Sequence, residues 1–489
     1  MALINVLNLS FSYESSHDSI FKDVSFQIDT DWKLGFTGRN GRGKTTFLNL
    51  LMGKYQYSGI ITSPCKFEYF PFEISDISLS TSHVIESIYP DYQRWGLERE
   101  LSYLKTNCDL LDRPFHTLSK GEQTKVLLAT LFLKENHFLL IDEPTNHLDM
   151  NGRKVVSQYL NTKKGFVLVS HDREFLDACV DHILSINKSN IEIQSGNFSS
   201  WWINKQRQDN FELAENERLK KDIKRLKESA REKAIWSDKV EATKIGFGAC
   251  DRGNIGHKAA KMMKRSKSIE KRQHSAISDK SKLLKNIETA ENLKVTQLNY
   301  QSNRLVSMDK IAIYYDNKEV CKDIYIDIEK GDRVSISGNN GTGKSSIIKL
   351  ICGENIKYTG NLYIGSNLLI SYVSQDTSML NRRLSDFINH HSIDESLFKA
   401  ILRKFDFARI QFEKDICEFS AGQKKKVLIA KSLCEKSHLL VWDEPLNYID
   451  VISRIQIENV LLEYKPTILF VEHDNVFCNK IANKNLMLS

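Results

Sequence analysis

Short apolar runs that end in acidic or small residues predict the parallel strands of an α/β fold. The runs 138–141 (Phe-Leu-Leu-Ile) and 439–442 (Leu-Leu-Val-Trp) each precede an acidic pair, Asp142-Glu143 and Asp443-Glu444. A continuous apolar run of this length is typical of a central parallel strand, which is buried on both faces. Ligands gather at the carboxyl ends of such strands, so the acidic pairs are expected at ligand sites.

Two glycine-rich segments, which we call the first and second phosphate loops, each follow a strand-like run and open a helical one. Residues 38–45 (Gly-Arg-Asn-Gly-Arg-Gly-Lys-Thr) and 338–345 (Gly-Asn-Asn-Gly-Thr-Gly-Lys-Ser) both fit G-x-x-x-x-G-K-[ST]. In this motif backbone N–H groups surround phosphate oxygens, the lysine reaches the β- and γ-phosphates, and the hydroxyl binds Mg²⁺. Two nucleotide sites are therefore predicted, with these contact residues: Gly38, Asn40, Gly41, Gly43, Lys44, Thr45 and Thr46; Gly338, Asn340, Gly341, Gly343, Lys344, Ser345 and Ser346.

The same further parts flank both loops in the same order, which indicates a duplicated domain. Tyr13 and Tyr315 precede the loops at similar distances, where an aromatic ring could stack on adenine or could simply belong to a strand. Downstream stand residues 118–123 (Leu-Ser-Lys-Gly-Glu-Gln) and 419–423 (Phe-Ser-Ala-Gly-Gln), which we call the two signatures. After the acidic pairs, His171 and His473 each follow another apolar strand.

These parts together resemble the ATP-binding cassette (ABC) family, so the two repeats are named the first and second cassettes. The resemblance implies MgATP as the ligand. It further implies that each signature contacts the γ-phosphate of the nucleotide bound to the opposite cassette. The contacting residues would be Ser119, Gly121 and Glu122 in the first signature and Ser420, Gly422 and Gln423 in the second. It also implies that Asp149 and Asp450 couple the sites and that His171 and His473 contact the γ-phosphate. Asp142 and Asp443 would hold Mg²⁺ with Thr45 and Ser345, while Glu143 and Glu444 would activate the attacking water.

The two cassettes differ at the position where the family places a glutamine between phosphate loop and signature. Gln375 fits this position in the second cassette and would also bind Mg²⁺, whereas the first offers Phe-Pro-Phe-Glu at 70–73. Phe72 can neither bind a metal nor orient water, which leaves Glu73 as the alternative. The site built on Lys344 is therefore expected to be complete, whereas the site built on Lys44 is expected to lack one element. The hypothesis that follows is unequal hydrolysis at the two sites.

The segment between the cassettes has helical spacing and a basic charge. Apolar residues step by threes and fours from Leu219 to Ala234 and recur every seventh residue from Ile269 to Ala290. Four glycines within 244–256 interrupt the pattern, so an antiparallel helical hairpin is predicted with its tip there. The segment from 203 to 296 carries a charge of +10 against +7 for the whole chain, and its basic returning arm suits a phosphate backbone, although a solvated helix face is the alternative.

The layout of two cassettes around a charged hairpin resembles the ABC-F family of ribosome-binding ATPases. The predicted organisation is an α/β fold of two tandem ABC nucleotide-binding domains, 1–198 and 303–489, joined by a long antiparallel α-helical hairpin linker, 199–302. The resemblance implies binding of the 70S ribosome at the tRNA exit site, with contacts to 23S rRNA and exit-site or P-site tRNA, by a monomeric chain whose cassettes close on ATP. Tip residues expected to reach the peptidyl-transferase centre are Ile245, Gly246, Phe247, Gly248, Arg252, Asn254 and Ile255.

Within that family the chain is most similar to the Lsa- and Vga-type antibiotic-resistance branch, because no arm is inserted in the first cassette. Such proteins displace lincosamides, pleuromutilins and streptogramin A. A housekeeping translation factor and the ATPase subunit of a drug exporter are the alternatives. No apolar run approaches the roughly 18 residues that span a bilayer, and the nine cysteines form no C-x-x-C pair, so a cytoplasmic location is expected.

Overall fold

The computed structural model describes residues 2–13, 19–146, 148–187, 190–242, 271, 295, 297–315, 318–339 and 341–488. The chain divides into two compact units: Met1–Trp201 with Ala290–Ser489, and Trp202–Thr289. Both cassettes therefore share one compact unit. The predicted domain boundaries at 198 and 303 remain predictions.

The first cassette alternates strands and helices along the chain. Its strands are β1 (Leu3–Phe11), β2 (Phe21–Asp29), β3 (Lys33–Thr37), β4 (Ser58–Thr62), β5 (Lys66–Phe70), β6 (His137–Asp142), β7 (Phe166–Val169), β8 (His182–Asn187) and β9 (Asn190–Ser195). Its helices are α1 (Lys44–Leu51), α2 (Thr81–Ile88), α3 (Arg94–Tyr103), α4 (Lys120–Leu131), α5 (Met150–Asn161) and α6 (Arg173–Cys179).

A long helix, α7 (Phe198–Ala242), follows the first cassette. It covers the first half of the predicted hairpin, and the apolar steps from Leu219 to Ala234 lie on it. The predicted tip residues 244–256 and the residues of the returning arm, apart from 271, lie outside the described residues.

The second cassette repeats the order of the first. Its strands are β10 (Arg304–Tyr315), β11 (Lys318–Glu329), β12 (Arg333–Ser337), β13 (Lys357–Ile364), β14 (Ile370–Val373), β15 (Leu439–Asp443), β16 (Ile468–Val471) and β17 (Lys484–Met487). Its helices are α8 (Lys344–Ile351), α9 (Leu384–His390), α10 (Glu395–Lys404), α11 (Ala421–Cys434), α12 (Val451–Tyr464) and α13 (Asn475–Ile481).

Each cassette combines a small antiparallel sheet with a larger, mainly parallel one. The small sheets have the orders β2-β1-β4 and β11-β10-β13. The large sheets have the orders β5-β6-β7-β3-β8-β9 and β14-β15-β16-β12-β17, in which only β9 pairs antiparallel. The predicted fold of two tandem α/β domains is confirmed, and the acid-bearing strands β6 and β15 pair in parallel on both sides as their apolar runs predict.

The sheet order places the functional loops at one edge. Strands β3 and β12 run directly into the phosphate loops, and α1 and α8 begin at the loop lysines, Lys44 and Lys344. Strand β7 lies between β3 and β6, and β16 lies between β12 and β15. Because these strands are parallel, their carboxyl ends meet at the same edge of the sheet. The acidic pairs and the two histidines therefore arrive next to the phosphate loops.

Candidate nucleotide sites

The first phosphate loop curls around the ammonium of its own lysine. Lys44 Nζ donates to the carbonyl oxygens of Gly38 at 2.7 Å and of Arg39 at 3.2 Å. Gly43 has a φ of 94°, and a Cβ there would lie 2.6 Å from Ile20 Cγ2, so both conformation and space require glycine. Burial lowers the pKa of Lys44, against the charges of Asp450 and Glu143. A phosphate group would supply the anion that this buried cation needs.

The second phosphate loop has the same geometry. Lys344 Nζ donates to the carbonyl oxygens of Gly338 at 2.8 Å and Asn339 at 2.7 Å. Gly343 has a φ of 86°, and burial lowers the pKa of Lys344. Asn340, a predicted contact, lies outside the described residues.

The residues predicted to bind Mg²⁺ fit that ion. Thr45 Oγ1 donates to Asp142 Oδ2 at 3.2 Å, and Ser345 hydrogen-bonds the side chain of Asp443. Asp443 is 1 % exposed, and its buried Oδ1 has no hydrogen-bond partner among the described residues. Burial raises the pKa of Asp443 to about 6. A hydroxyl beside a carboxylate with a free oxygen is a ligand set that Mg²⁺ prefers.

Three side chains hold the carboxylate of Glu444. Gln375 Nε2 and Asn447 Nδ2 donate to its Oε2 at 2.7 and 2.6 Å, and His473 Nε2 lies 3.5 Å from its Oε1. Burial opposes ionisation, but the hydrogen bonds from His473 and Gln375 and the charge of Lys425 outweigh it, and the pKa of Glu444 lies below its ordinary value. A carboxylate that is fixed and ionised is suited to orient and activate water.

The carboxylate of Glu143 has different surroundings. His171 Nε2 lies 3.3 Å from its Oε1, but that buried oxygen has no hydrogen-bond partner among the described residues. Burial, and after it the charge of Asp142, raises the pKa of Glu143 to about 8. Burial and the charge of Lys44 hold the pKa of His171 well below its ordinary value, so this imidazole is neutral. The pKa values of the two candidate general bases are therefore shifted in opposite directions.

The strand registers locate the family's glutamine position in both cassettes. Phe70 pairs with Ile141, and Val373 pairs with Trp442, each one residue before the first acid. Two residues further on, Phe72 therefore stands where Gln375 stands in the second cassette. Glu73 does not line the first site, and the predicted alternative that it replaces the glutamine has no support here. Instead, Tyr69 donates its hydroxyl to Asp142 Oδ2 at 3.0 Å.

The first cavity combines the first phosphate loop with the signature of the second cassette. Its volume is about 820 Å³. Predicted residues that line it are Tyr13, Asn40, Gly41, Gly43, Lys44, Thr45, Thr46, Asp142, Glu143, His171, Ser420 and Gly422. The hydroxyl of Tyr13 also lies 2.9 Å from Thr46 Oγ1.

The second cavity, about 410 Å³, combines the second loop with residues 120, 146 and 148 of the first cassette. Predicted residues that line it are Gly341, Gly343, Lys344, Ser345, Ser346, Gln375, Glu444 and His473. Tyr315, Asp443, Ser119, Gly121, Glu122 and Gln423 do not line either cavity. Glu122 and Gln423 instead complete capping boxes with Ser119 and Ser420, which begin α4 and α11.

Several contacts at these sites were not expected from the sequence. Asn40 Nδ2 donates to the carbonyl oxygen of Tyr448 at 2.6 Å, which joins the first loop to the other cassette. Arg42 pairs with Asp406 of the second cassette at 3.0 Å. Lys425 is buried beside Glu444. A motif cannot reveal such pairs, because the partners are far apart in sequence, and Lys425 is the middle of three consecutive lysines, among which the sequence does not distinguish buried from accessible ones.

Comparison with known proteins agrees with this architecture. The family model described as "ABC transporter" matches residues 21–146 and 321–447, one match in each cassette. The ribosome protection protein VmlR of Bacillus subtilis is 27 % identical over 98 % of this chain and 85 % of its own length. The ATP-binding protein Uup of Buchnera aphidicola is 28 % identical over 99 % of this chain and 80 % of its own length. ABC transporter F family member 2 of Arabidopsis thaliana is 25 % identical over 98 % of this chain and 76 % of its own.

Among solved structures, the archaeal ribosome recycling factor aABCE1, in complex with the stalk protein aP1, has a TM-score of 0.62 at 17 % identity. The match covers 98 % of this chain and 87 % of that one, and at this identity it shows a shared fold. None of the described helices is both long and apolar enough to cross a bilayer. The chain thus belongs to the ABC transporter family, whose ATP-binding domain it carries twice.

Proposed function

We propose that the protein is an ABC-F ATPase that binds the ribosome at the tRNA exit site and displaces antibiotics from the peptidyl-transferase centre. The observation that carries the ATPase part is the ordered carboxylate of Glu444, held by Gln375, Asn447 and His473 next to a phosphate loop. MgATP is the ligand that this chemistry fits.

The ribosomal part rests on similarity. The relative named as a ribosome protection protein aligns with 98 % of this chain, including the segment between the cassettes. The antibiotics proposed are lincosamides, pleuromutilins and streptogramin A, and the linker tip at 244–256 is proposed to approach their site. The cytoplasm is the location that this partner implies.

Within this proposal, each part of the two nucleotide sites acts at one step of ATP binding and hydrolysis. ATP binding would draw the phosphate loop of one cassette against the signature of the other, as the shared cavities allow. Mg²⁺, when bound beside Ser345 and Asp443, would neutralise charge on the phosphates. Glu444 would accept a proton from the attacking water, and the products would no longer hold the cassettes together.

The second candidate is a housekeeping translation factor that acts on stalled ribosomes. The chain is as similar to the ATP-binding protein Uup, at 28 %, as to VmlR, at 27 %. This candidate keeps the ribosome as partner and omits the drug. The remaining alternative, the ATPase subunit of a drug exporter, would act only together with a separate membrane protein.

Ribosome co-sedimentation of the Glu143→Gln, Glu444→Gln double variant tests the proposal. Removing both water-activating carboxylates should trap the ATP-bound state, so we expect the variant to pellet with 70S particles in ATP but not in ADP. Labelled lincomycin, bound beforehand, should be released in proportion to the bound variant. Binding without drug release would favour the housekeeping candidate, and no binding in any nucleotide would contradict both.

A further inference from the structure

A buried lysine joins the segments that form the catalytic centre of the second cassette. Lys425 lies on α11 and is 1 % exposed. Its Nζ donates to the backbone oxygens of Ser374 at 2.8 Å, Glu444 at 3.0 Å and Asp443 at 3.4 Å. A lysine ammonium has three donor protons and no acceptor, so three carbonyl oxygens satisfy it completely.

The segments that Lys425 joins are those that orient the general base. Ser374 directly precedes Gln375, whose amide donates to Glu444 Oε2 at 2.7 Å. That hydrogen bond is kept only while the chain after β14 stays at a fixed distance from the end of β15. The Lys425 ammonium bridges these two points of the backbone. It adds a link beyond the β14–β15 ladder, which ends at the pair of Val373 with Trp442.

The positive charge of the Lys425 ammonium is also compensated by negative charges around it. The carboxylates of Asp443, Glu444 and the buried Glu472 act on Lys425, although its direct partners are carbonyl oxygens. A buried cation without direct contact to a carboxylate is costly unless hydrogen bonds and nearby charges compensate it. Here both are present, which explains why a lysine is stable in this interior position.

Within the described part of the first cassette, this bridge has no counterpart. Thr124 stands at the same position as Lys425, five residues after the signature serine. Its hydroxyl donates to Lys120 within its own helix at 2.9 Å. Phe72 replaces Gln375 there, and Glu143 Oε1 has no hydrogen-bond partner among the described residues. The ordered glutamate and the buried lysine thus occur together in one cassette.

We propose that Lys425 is a positioning residue for ATP hydrolysis in the second cassette, acting through Gln375 and Glu444. It ties the end of β14 to the end of β15, so that the general base keeps one orientation. This role rests on the proposed ATPase function. Thr124 cannot perform it in the first cassette, because its hydroxyl bonds within α4.

The test compares Lys425→Met with Lys424→Met, its neighbour on α11, in steady-state ATPase assays of the full chain. Methionine keeps an unbranched side chain as far as Cε and removes the ammonium with all three donors. Because small displacements of a catalytic group cost about 10- to 100-fold in rate, kcat should fall by that factor for Lys425→Met while KM for ATP stays within about twofold. Lys424→Met should change neither. Lys425→Arg, which keeps charge and donors, should recover much of the loss.

A double-mutant cycle separates positioning from a general structural role. In the Glu444→Gln background, Lys425→Met should reduce the residual rate by less than about twofold, because the base it positions is already absent. In the Glu143→Gln background the full loss should remain. An equal loss in both backgrounds, or an unchanged kcat in the folded single variant, overturns the proposal.

Two further results, misfolding of Lys425→Met and absence of wild-type ATPase activity, also have a defined interpretation. If Lys425→Met does not fold, Lys425→Gln, which retains one amide donor group, enters the same cycle with the same expected pattern. If the wild-type chain hydrolyses no ATP with or without ribosomes, the proposed function itself fails. Wild-type hydrolysis that does not depend on Lys425 contradicts only the positioning role.

Discussion

Glu143 and Glu444 follow the same kind of apolar strand, yet their carboxylates have different surroundings. Glu444 receives hydrogen bonds from Gln375 and Asn447, whereas Glu143 Oε1 receives none from the described residues. The pKa of Glu444 is lowered, and burial raises that of Glu143 to about 8. Bound Mg²⁺ would favour the ionised form at both sites and would therefore lower the pKa of Glu143 from about 8, while the hydrogen bonds that hold Glu444 remain specific to the second cassette.

This difference predicts unequal, pH-dependent hydrolysis. A glutamate must be ionised to accept a proton, so activity at the first site should rise as pH increases through the pKa of Glu143, which lies at about 8 without Mg²⁺ and lower with it. The Glu444→Gln variant, which retains only that site, should therefore gain ATPase activity between about pH 7 and pH 9, while Glu143→Gln should be flat there. At about pH 7, Glu444→Gln should be the slower variant by about tenfold or more. Phosphate release measured for both variants across this pH range tests the two predictions. Profiles of rate against pH with the same shape in both variants would contradict them.

At the scale of elements, the helices after the acidic pairs are capped differently. Asp450 caps α12 through the amide of Ser453 at 2.9 Å and also accepts a hydrogen bond from the buried Lys426 Nζ at 2.7 Å. Asp149 caps α5 through Gly152 at 2.7 Å. Burial opposes ionisation of Asp450, but the charge and hydrogen bond of Lys426 hold its pKa below the usual range. Its stabilising contribution is therefore present above the unfolded pKa and is lost as pH falls through the folded value.

Asp450→Asn should consequently destabilise the protein far more than Asp149→Asn. Leaving a buried lysine without its partner costs about 3–5 kcal/mol, whereas asparagine caps a helix nearly as well as aspartate. Urea unfolding at neutral pH measures both variants, and adding Lys426→Met to Asp450→Asn should recover part of the loss. Equal shifts in the two single variants would show that the Lys426 pair contributes little.

At the scale of the whole molecule, the contacts between the cassettes are unequal at the two sites. Arg42 of the first phosphate loop pairs with Asp406 at 3.0 Å, and Arg39 lies 3.7 Å from the same carboxylate. Asp406 is the second residue after the end of α10 and has a positive φ of 67°. Lys105, with a φ of 50°, holds the corresponding place after α3. Because Lys105 is basic and residue 342 of the second loop is threonine, the reverse ion pair cannot form.

Asp406→Asn should therefore speed nucleotide release from the first site. The pair is partly exposed, with 27 % and 31 % of the two side chains accessible, so the expected effect is modest. We expect about a two- to fivefold faster release, which corresponds to about 0.4–1 kcal/mol. Fluorescent nucleotide release measures this in a Lys344→Ala background, where only the first site binds. Lys105→Gln in a Lys44→Ala background is the matched control and should change little; equal effects would contradict the asymmetry.

Local chemistry by itself determined the two-cassette architecture and the parts of each nucleotide site. Gly43 and Lys44 act through backbone conformation and a fixed spacing, and the apolar run before Asp443 defines a buried parallel strand wherever it occurs. These features depend on neighbours in the chain, so the sequence contains them. The same is true of Phe72, whose departure from glutamine was visible before its register with Gln375 was known.

The tertiary structure decided which contacts hold the side chains of each candidate site. The hydrogen bond from Tyr69 to Asp142, the bridge from Lys425 to Ser374 and the pair of Arg42 with Asp406 join residues separated by 73, 51 and 364 positions. Such contacts arise from the packing of sheets, helices and cassettes, which no local spacing specifies. The protonation of Glu143 and Glu444 depends on the same packing, because burial and neighbouring charges set a pKa. The motifs, with Phe72 in place of a glutamine, therefore predict two unequal sites, and the three-dimensional surroundings of Glu143 and Glu444 show how their carboxylates differ.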